Sequence, residues 1–204
     1  MRRCERAITL NINFYSNDLM NSNRIAGFLS FIGASQFLIF MLVCEALYPG
    51  YSMSKNMISD LGIGPTAYIF NSSIIFLGLM MIISALTFHG FHKKLYFTVP
   101  LLLAGAGAAG VGLFPENISP WHEIFAGITF FCGGLSEAIS SLLVRSPMFI
   151  ASLMLGLITL GSLVLFVLDV HLGLGRGGME RMIAYPVILW GAGFGGYLMA
   201  SQRR

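Results

Sequence analysis

Charged residues are scarce in this sequence: Asp, Glu, Lys and Arg make up only 10% of its 204 residues. Soluble globular domains average about 25%, so the composition lies outside that class. The scarcity also excludes an intrinsically disordered chain, which requires high charge and low hydrophobicity. With a formal net charge of only +3, the sequence offers no basic surface for nucleic acid.

Cysteine is scarce as well, and the three residues present, Cys4, Cys44 and Cys132, are far apart. Their odd number and the lack of a Cys-x-x-Cys pair exclude a disulfide framework, a zinc knuckle and a dithiol redox motif. The 24 glycines follow no fixed period, which excludes a collagen-like fibre. Apolar residues are abundant instead, at 56% of the total, with a mean hydropathy of +0.78. This composition is typical of a protein that resides in a bilayer.

Six apolar runs are long enough to cross a membrane, since a bilayer core about 30 Å thick requires about 20 helical residues. Each run is bounded by charged residues or by turn-forming Pro and Gly. The runs are Ile25–Leu47, Ala67–Phe88, Leu95–Phe114, Ile124–Val144, Met148–Leu168 and Met182–Ala200. They predict an all-α fold, a six-span transmembrane helical bundle over residues 25–200, with an N-terminal arm at 1–24 and a short tail at 201–204.

The basic residues predict the orientation of the bundle, because Lys and Arg accumulate in cytoplasmic loops. Nine of the 12 fall on the side of the termini: Arg2, Arg3, Arg6, Arg24, Lys93, Lys94, Arg145, Arg203 and Arg204. Only Lys55, Arg176 and Arg181 fall on the other side. We therefore expect a multi-pass protein of the plasma membrane, with both termini in the cytoplasm.

Residues 1–19 contain no apolar core of signal-peptide length, so we do not expect a cleaved secretory signal. Two interpretations of this segment remain. It forms a cytoplasmic arm that lies on the lipid surface, or translation begins at Met20, directly before the first span. The intact mass of the native protein distinguishes the two.

Small residues are concentrated in the third and sixth spans, at 103–112 and 191–196. Glycine and alanine four residues apart allow helix backbones to approach closely in lipid. We expect these two helices to pack tightly inside the bundle. The other interpretation is that the small-residue faces form a seam with a second copy of the chain or with a partner in a membrane complex.

Polar residues gather in three segments on the predicted outer side. The first of these segments is 51–62. It carries Met57, Ile58 and Leu61 at near-helical spacing, which predicts a short re-entrant or interfacial helix. Such a helix would bring Ser59 and Asp60 back into the mouth of the bundle. The alternative is a surface loop in which Asp60 caps a turn.

The second segment, 114–123, ends in the first turn of the predicted fourth span with His122 and Glu123. A carboxylate is favoured near a helix N-terminus, so Glu123 also has a purely structural explanation. A histidine there requires a hydrogen-bond partner. We therefore interpret His122 as a binding residue, with a plain interfacial histidine as the alternative.

The third segment, 169–181, is rich in glycine and carries Arg176 and Arg181. Glycines before a helix start, with arginines beside them, are typical of a site that holds an anion through backbone N–H groups. A phosphate headgroup suits such a place. The alternative is a flexible turn in which the arginines pair with Asp169 and Glu180.

Four residues on the predicted outer side, Asp60, His122, Asp169 and His171, have the chemistry to bind zinc, which takes His and carboxylate ligands. The sequence lacks the HxxxH or HExxH spacing that usually accompanies such a site. A metal held there would activate water for hydrolysis of a lipid ester or amide.

Glu137 is the one acid predicted to lie deep inside a span, about 12 Å from the inner end of the fourth helix. Ionisable groups at that depth are costly and suggest a function, such as a proton relay. A protonated carboxyl bonded to Ser136, Ser140 or a backbone carbonyl explains Glu137 equally well. Gln36 is the only polar partner predicted at a comparable depth.

Several short tracts resemble a known membrane-protein family. They are Tyr48-Pro49-Gly50-Tyr51-Ser52, Asn56-Met57-Ile58-Ser59-Asp60-Leu61-Gly62, Ile69-Phe70-Asn71, Phe114-Pro115 followed by His122, and Arg181 near Tyr185-Pro186. Together they resemble the family catalogued as domain of unknown function 998, which implies a six-span fold and no established activity. A fainter similarity, through residues 58–62, is to the six-span Frag1/DRAM/Sfk1-like proteins, and it implies a role in membrane lipid organisation.

The sequence thus predicts an integral membrane protein with an outward-facing polar pocket that binds a lipid headgroup or small amphipathic ligand. The predicted ligand-binding residues are Ser59, Asp60, His122, Glu123, Arg176 and Arg181. Two alternatives remain open, a metal-dependent hydrolase that acts on membrane lipids and a non-catalytic subunit of a membrane complex.

Overall fold

The computed structural model describes the chain from Arg2 to Ala200, with side chains from Asn21 onward. It contains six α-helices that are connected by short segments. They are α1 (Arg2–Leu47), α2 (Ala67–His92), α3 (Leu95–Leu113), α4 (Trp121–Ser140), α5 (Met148–Val167) and α6 (Gly175–Ala200). All six have a segment long and apolar enough to span a membrane, which confirms an all-α, multi-pass membrane protein. The predicted tail at 201–204 lies outside the described residues.

The helices form a ring in which chain neighbours are also neighbours in space. Each of α1 to α5 packs on the helix that follows it, and α6 returns to pack on α1 and close the ring. A smaller contact joins α4 to α6 across the bundle. Because the helices alternate in direction, connectors 48–66, 114–120 and 168–174 all lie at one end, which we call the connector end.

Small residues bring the helices of this ring close together. A Cβ on Gly78 of α2 would lie 2.5 Å from the Gly105 oxygen of α3, and a Cβ on Gly107 would lie 2.8 Å from the Thr129 nitrogen of α4. On the other side of the ring, a Cβ on Gly195 of α6 would lie 2.5 Å from the Gly27 oxygen of α1. The predicted tight packing of the third and sixth spans inside the bundle is therefore present. It uses these glycines within one chain.

Polar side chains link the helices where the sequence offered few charges. Gln36 donates to the Ser73 carbonyl at 2.9 Å, which ties α1 to α2. The Ser30 hydroxyl donates to the Gly191 carbonyl, and the Ser84 hydroxyl donates to the Ala26 carbonyl, both at 2.8 Å. Hydroxyl-to-carbonyl bonds of this kind satisfy polar groups that lipid cannot hydrate.

Two helices differ from the predicted bounds in an informative way. α6 begins at Gly175, well before the predicted Met182, so most of the glycine-rich tract that suggested a turn is helical. The backbone of α1 continues to Arg2, beyond the predicted start of the span at Ile25. The other four helices begin and end within a few residues of the predicted positions.

Candidate functional site

The first connector folds back onto the bundle at the connector end. It ends in two short 3-10 helices, Ser59–Gly62 and Gly64–Thr66, that lead into α2. Leu61 is fully buried against the core of α1 and α2, and Ser59 is buried beside it. The predicted short helix that returns to the bundle is present as a single 3-10 turn.

Asp60 stabilises this turn through one carboxylate oxygen. Its Oδ2 accepts hydrogen bonds from the Met57 backbone nitrogen at 3.0 Å and from the Asn56 side chain at 2.9 Å. The turn-capping interpretation of Asp60 is thus correct for one oxygen. The same carboxylate lies beside Glu116 of the second connector.

Arg181 of α6 forms the most extensive polar network at this end. One guanidinium nitrogen lies 2.5 Å from Glu45 of α1, and both side chains are only 7% exposed. The same nitrogen donates to the Tyr51 hydroxyl at 2.6 Å, and the hydroxyl in turn donates to the Met57 carbonyl. Burial raises the pKa of Tyr51 to about 12, despite the opposing effect of Arg181, so the phenol stays a neutral donor.

The second guanidinium nitrogen of Arg181 binds backbone oxygens. It donates to the carbonyls of Met53 at 3.0 Å, Asn56 at 3.1 Å and Gly177 at 2.9 Å. Arg181 therefore fastens the first connector to α6. A guanidinium that is engaged in this way has no terminal nitrogen left for an external anion, so Arg181 is a structural anchor here and does not face a ligand.

Gly175 and Gly177 explain why α6 begins with glycines. The Gly177 nitrogen donates to the Ser54 carbonyl at 3.2 Å, so the connector backbone rests directly on the first turn of α6. A Cβ on Gly175 would overlap the Ser54 oxygen, and a Cβ on Gly177 would overlap the Asn56 oxygen. The Gly177 N–H, one of the backbone groups that suggested an anion site, thus faces a carbonyl of the chain's own connector.

His122 and Glu123 open α4 but have different surroundings. His122 is 7% exposed, and its Nδ1 donates to the Phe114 carbonyl at 2.9 Å. Since a carbonyl only accepts, the proton sits on Nδ1, which leaves Nε2 as the free ring nitrogen. Glu123 is exposed at the helix start, where its charge is favoured by the helix dipole.

Glu116 and Glu180 also belong to this region, although the sequence did not single them out as ligand-binding residues. Glu180 is 6% exposed, and its Oε2 accepts a hydrogen bond from the Ile58 backbone nitrogen. Burial, together with the neighbouring Asp60 carboxylate, raises the pKa of Glu116 to about 7. Ser59 and Arg176 oppose that shift, so three side chains from two other segments, the first connector and α6, lie around Glu116. Consecutive residues in a helix point their side chains in different directions. The adjacent pair Glu180 and Arg181 was therefore a usable signal that the two charges have different surroundings.

A cavity of about 310 Å³ lies under the connectors between these groups. Its polar wall contains Ser59, Glu116, His122, Glu123, Arg176 and Glu180. Its apolar wall comes from α4 and α5 and contains Ala126, Gly127, Phe130, Leu163, Phe166 and Val167, with Met57 of the first connector. We call this space the connector cavity. Four of the six predicted ligand-binding residues line it, namely Ser59, His122, Glu123 and Arg176, whereas Asp60 and Arg181 do not.

Arg176 lies at the rim of the connector cavity. Its side chain is exposed, and the guanidinium carbon lies 5.6 Å from the centre of the Phe166 ring. Cation–π contacts of this kind are modest at exposed sites, which leaves the guanidinium nitrogens available. Arg176 is therefore the basic side chain of the cavity wall.

The predicted zinc ligands Asp60, His122, Asp169 and His171 do not converge. His171 Nε2 lies 3.3 Å from an Asp169 carboxylate oxygen, but this pair stays on the exposed 168–174 connector. Asp60 is engaged in its turn, and His122 is tied to Phe114. Among residues 21–200, no three His, Cys, Asp or Glu side chains are grouped so that they could hold a metal ion. The four residues of the predicted metal set are therefore not gathered into one metal-binding group.

Glu137 is fully buried in the middle of α4, as predicted, but its surroundings differ from the expectation. Neither carboxylate oxygen makes a hydrogen bond of normal geometry among the described residues, and the polar side chain close to it is Thr159 of α5. The Ser136 hydroxyl donates to the Cys132 carbonyl at 2.7 Å, and the Ser140 hydroxyl donates to the Glu137 backbone carbonyl at 2.7 Å. Both predicted serine partners are thus occupied within their own helix, and Gln36 bonds to α2 instead.

Comparison with known proteins gives one informative result. Searches of curated proteins and of solved structures found no match. Residues 31–196, which include part or all of every helix and all three connectors, match the model of a family described as "protein of unknown function (DUF998)". The polytopic membrane protein described here therefore belongs to the DUF998 family.

Proposed function

We propose that this protein binds the polar head of a lipid, or of another small amphipathic molecule, in the connector cavity. The observation that carries this proposal is the division of the cavity wall into a polar half, from the connectors, the first turn of α4 and α6, and an apolar half, mainly from the later turns of α4 and from α5. Ligand sites commonly combine apolar walls with a few convergent polar groups, and 310 Å³ is within the usual size range.

The apolar wall supports entry from the membrane. Val167, at the end of α5, is 75% exposed, and Gly127 of α4 is exposed beside it. A chain attached to the bound head would leave the cavity along this wall and enter the lipid. With the termini in the cytoplasm, as the basic residues predict, the head would be drawn from the outer leaflet.

Two glycines provide a matched test of this proposal. A Cβ on Gly127 or on Gly161 would meet no atom within 4 Å, so both positions accept a larger side chain without a clash. Gly127 lines the connector cavity and Gly161 of α5 does not. Gly127→Phe should therefore fill the cavity mouth, whereas Gly161→Phe should add the same bulk elsewhere.

The measurement is lipid retention. Wild-type protein and both variants are purified in the same mild detergent, and bound lipid per chain is counted by native mass spectrometry. We expect Gly127→Phe to lose at least tenfold in bound lipid and Gly161→Phe to match the wild type. Equal retention in all three proteins, at equal folded yield, would contradict the proposal.

A further inference from the structure

The charges around the connector cavity are unequal. Glu116, Glu123 and Glu180 line it, whereas Arg176 is its basic side chain. Asp60 adds a further carboxylate directly beside Glu116. Arg181, which would have balanced this excess, is bound to Glu45 and to backbone carbonyls outside the cavity. The wall is therefore predominantly acidic.

The buried polar atoms of the wall are also mainly hydrogen-bond acceptors. His122 donates through Nδ1 to Phe114, so in its neutral form it offers Nε2 as an acceptor. Glu180 uses Oε2 for the Ile58 nitrogen, and its other oxygen is left on a side chain that lines the cavity. A phosphate in this place would meet like charges and unpaired acceptors. An ammonium group carries a positive charge and three donors, which complements the same wall.

We infer that the connector cavity recognises an ammonium group carried by a membrane amphipath, with the ammonium between Glu116 and Glu180 and the apolar chain along α4 and α5. This inference deepens the proposed function and depends on it. Two sources have this chemistry, a long-chain amine without phosphate and an aminophospholipid. In the second case the phosphate would lie toward Arg176 at the rim.

Binding of an ammonium group in this cavity should depend on pH. Glu116, whose pKa is about 7, faces Asp60, Glu180 and Arg176, and an ammonium bound beside it favours the ionised carboxylate. A carboxyl with this pKa is ionised at about 10% at pH 6 and about 90% at pH 8. Affinity for the ammonium should therefore rise several-fold over this interval.

The test uses three probes with one chain and different heads: dodecylamine, dodecyl phosphate and dodecanol. The full chain in mild detergent is titrated with each at pH 8, and native mass spectrometry counts the bound molecules. We expect dodecylamine to bind at least tenfold more tightly than dodecanol, and dodecyl phosphate to bind most weakly. Tighter binding of dodecyl phosphate, or equal binding of all three, would overturn the inference.

Two single-charge variants sharpen the result. Glu116→Gln should weaken dodecylamine binding by about five- to tenfold at pH 8 and reduce its pH dependence. Asp169→Asn removes one negative charge from the same end but lies outside the cavity, in a left-handed backbone conformation that Asn accepts. It should change the affinity less than twofold. Equal losses of affinity in both variants would mean that dodecylamine responds only to the overall negative charge of this end, which would overturn the inference.

Gly127→Phe separates the failure of the inference from the failure of the proposed function. Lipid retention that depends on Gly127 but shows no preference for amines would overturn the inference alone. Arg176→Gln then distinguishes the two sources. A loss of phosphatidylethanolamine binding, with dodecylamine binding undiminished, identifies an aminophospholipid, and phosphatidylethanolamine binding that is not reduced identifies a long-chain amine.

Discussion

Arg181 and Glu137 are both buried ionisable side chains, at 6% and 0% exposure, but they are accommodated in opposite ways. The guanidinium of Arg181 makes five hydrogen bonds, one of them to a carboxylate. The carboxyl of Glu137 makes no hydrogen bond of normal geometry among the described residues. The difference follows from chemistry, because an arginine is always charged and must be paired, whereas a glutamic acid can hold its proton and remain neutral.

The connector end and the middle of α4 therefore differ in the polar groups that they can hold. At the connector end, Arg181 and Glu45 stay charged because they pair, and Arg181 holds the first connector over a cavity. The middle of α4 offers Glu137 no counter-charge, so we expect this acid to hold its proton there. A function that requires ionised groups is therefore better supported by the connector end than by the centre of the bundle.

The largest effect is expected for Arg181→Met, which would leave Glu45 buried without a counter-charge. Breaking a buried ion pair from one side costs about 3–5 kcal/mol. The free energy of unfolding should fall by that amount, and adding Glu45→Gln should recover part of the loss because the isolated charge is then removed. An additive double variant would contradict the pairing.

Stability can be read from the buried thiols of Cys44 and Cys132, which react with a maleimide dye only when the bundle opens. Cys4 is replaced by Ser in every variant so that these two thiols alone report unfolding. Chemical or thermal denaturation in one detergent then ranks all the variants on the same scale.

The next effect tests the contact between the first connector and α6. Gly177→Ala would place a Cβ against the Asn56 carbonyl, and overpacking of this kind costs about 1–3 kcal/mol. Gly196→Ala, in the same helix but with no atom within 4 Å of its Cβ, should leave stability unchanged or slightly higher. Equal behaviour of the two variants would show that the close approach contributes nothing.

Gly177 also shows where prediction from the sequence was limited. The lengths of the apolar runs were sufficient to predict six helices, because the thickness of a bilayer sets a length that hydropathy reveals. The glycine-rich start of α6 was expected to be a turn or an anion site, because glycine disfavours helix when nothing packs on it. Its actual role depends on Ser54 and Asn56, which are remote in sequence, and no local pattern identifies such a partner.

The candidate site was predictable to a similar degree. Ser59, His122, Glu123 and Arg176 were selected because they are polar residues in connectors at one end, and they do line one cavity. Glu116 and Glu180 were not selected, and Arg181 was assigned to a ligand. These three errors have one cause, because whether a charge is paired or free depends on contacts between segments.

A smaller effect is expected for Glu116, which should make stability depend on pH. Its pKa rises from an ordinary value of 4.5 to about 7 on folding, so the folded protein binds this proton more tightly than the unfolded chain. Ionisation of Glu116 therefore lowers the free energy of unfolding. This loss is absent below pH 4.5, grows as the pH rises and is complete above about pH 7. Glu116→Gln should remove this decline in stability between pH 4.5 and 7, and a decline that persists unchanged would assign it to other groups.

The smallest effect on stability is expected for Glu137→Gln, although Glu137 is more deeply buried than Glu116. A neutral carboxyl and a carboxamide have nearly the same shape and neither carries charge, so the free energy of unfolding should change by less than about 1 kcal/mol. The same substitution at Glu45 should be far more damaging, since it would leave Arg181 unpaired. If Glu137→Gln destabilised the bundle as much as Glu45→Gln, Glu137 would have to be ionised and paired in the folded protein. The distinction between a paired charge at the connector end and a neutral acid in the centre would then be wrong.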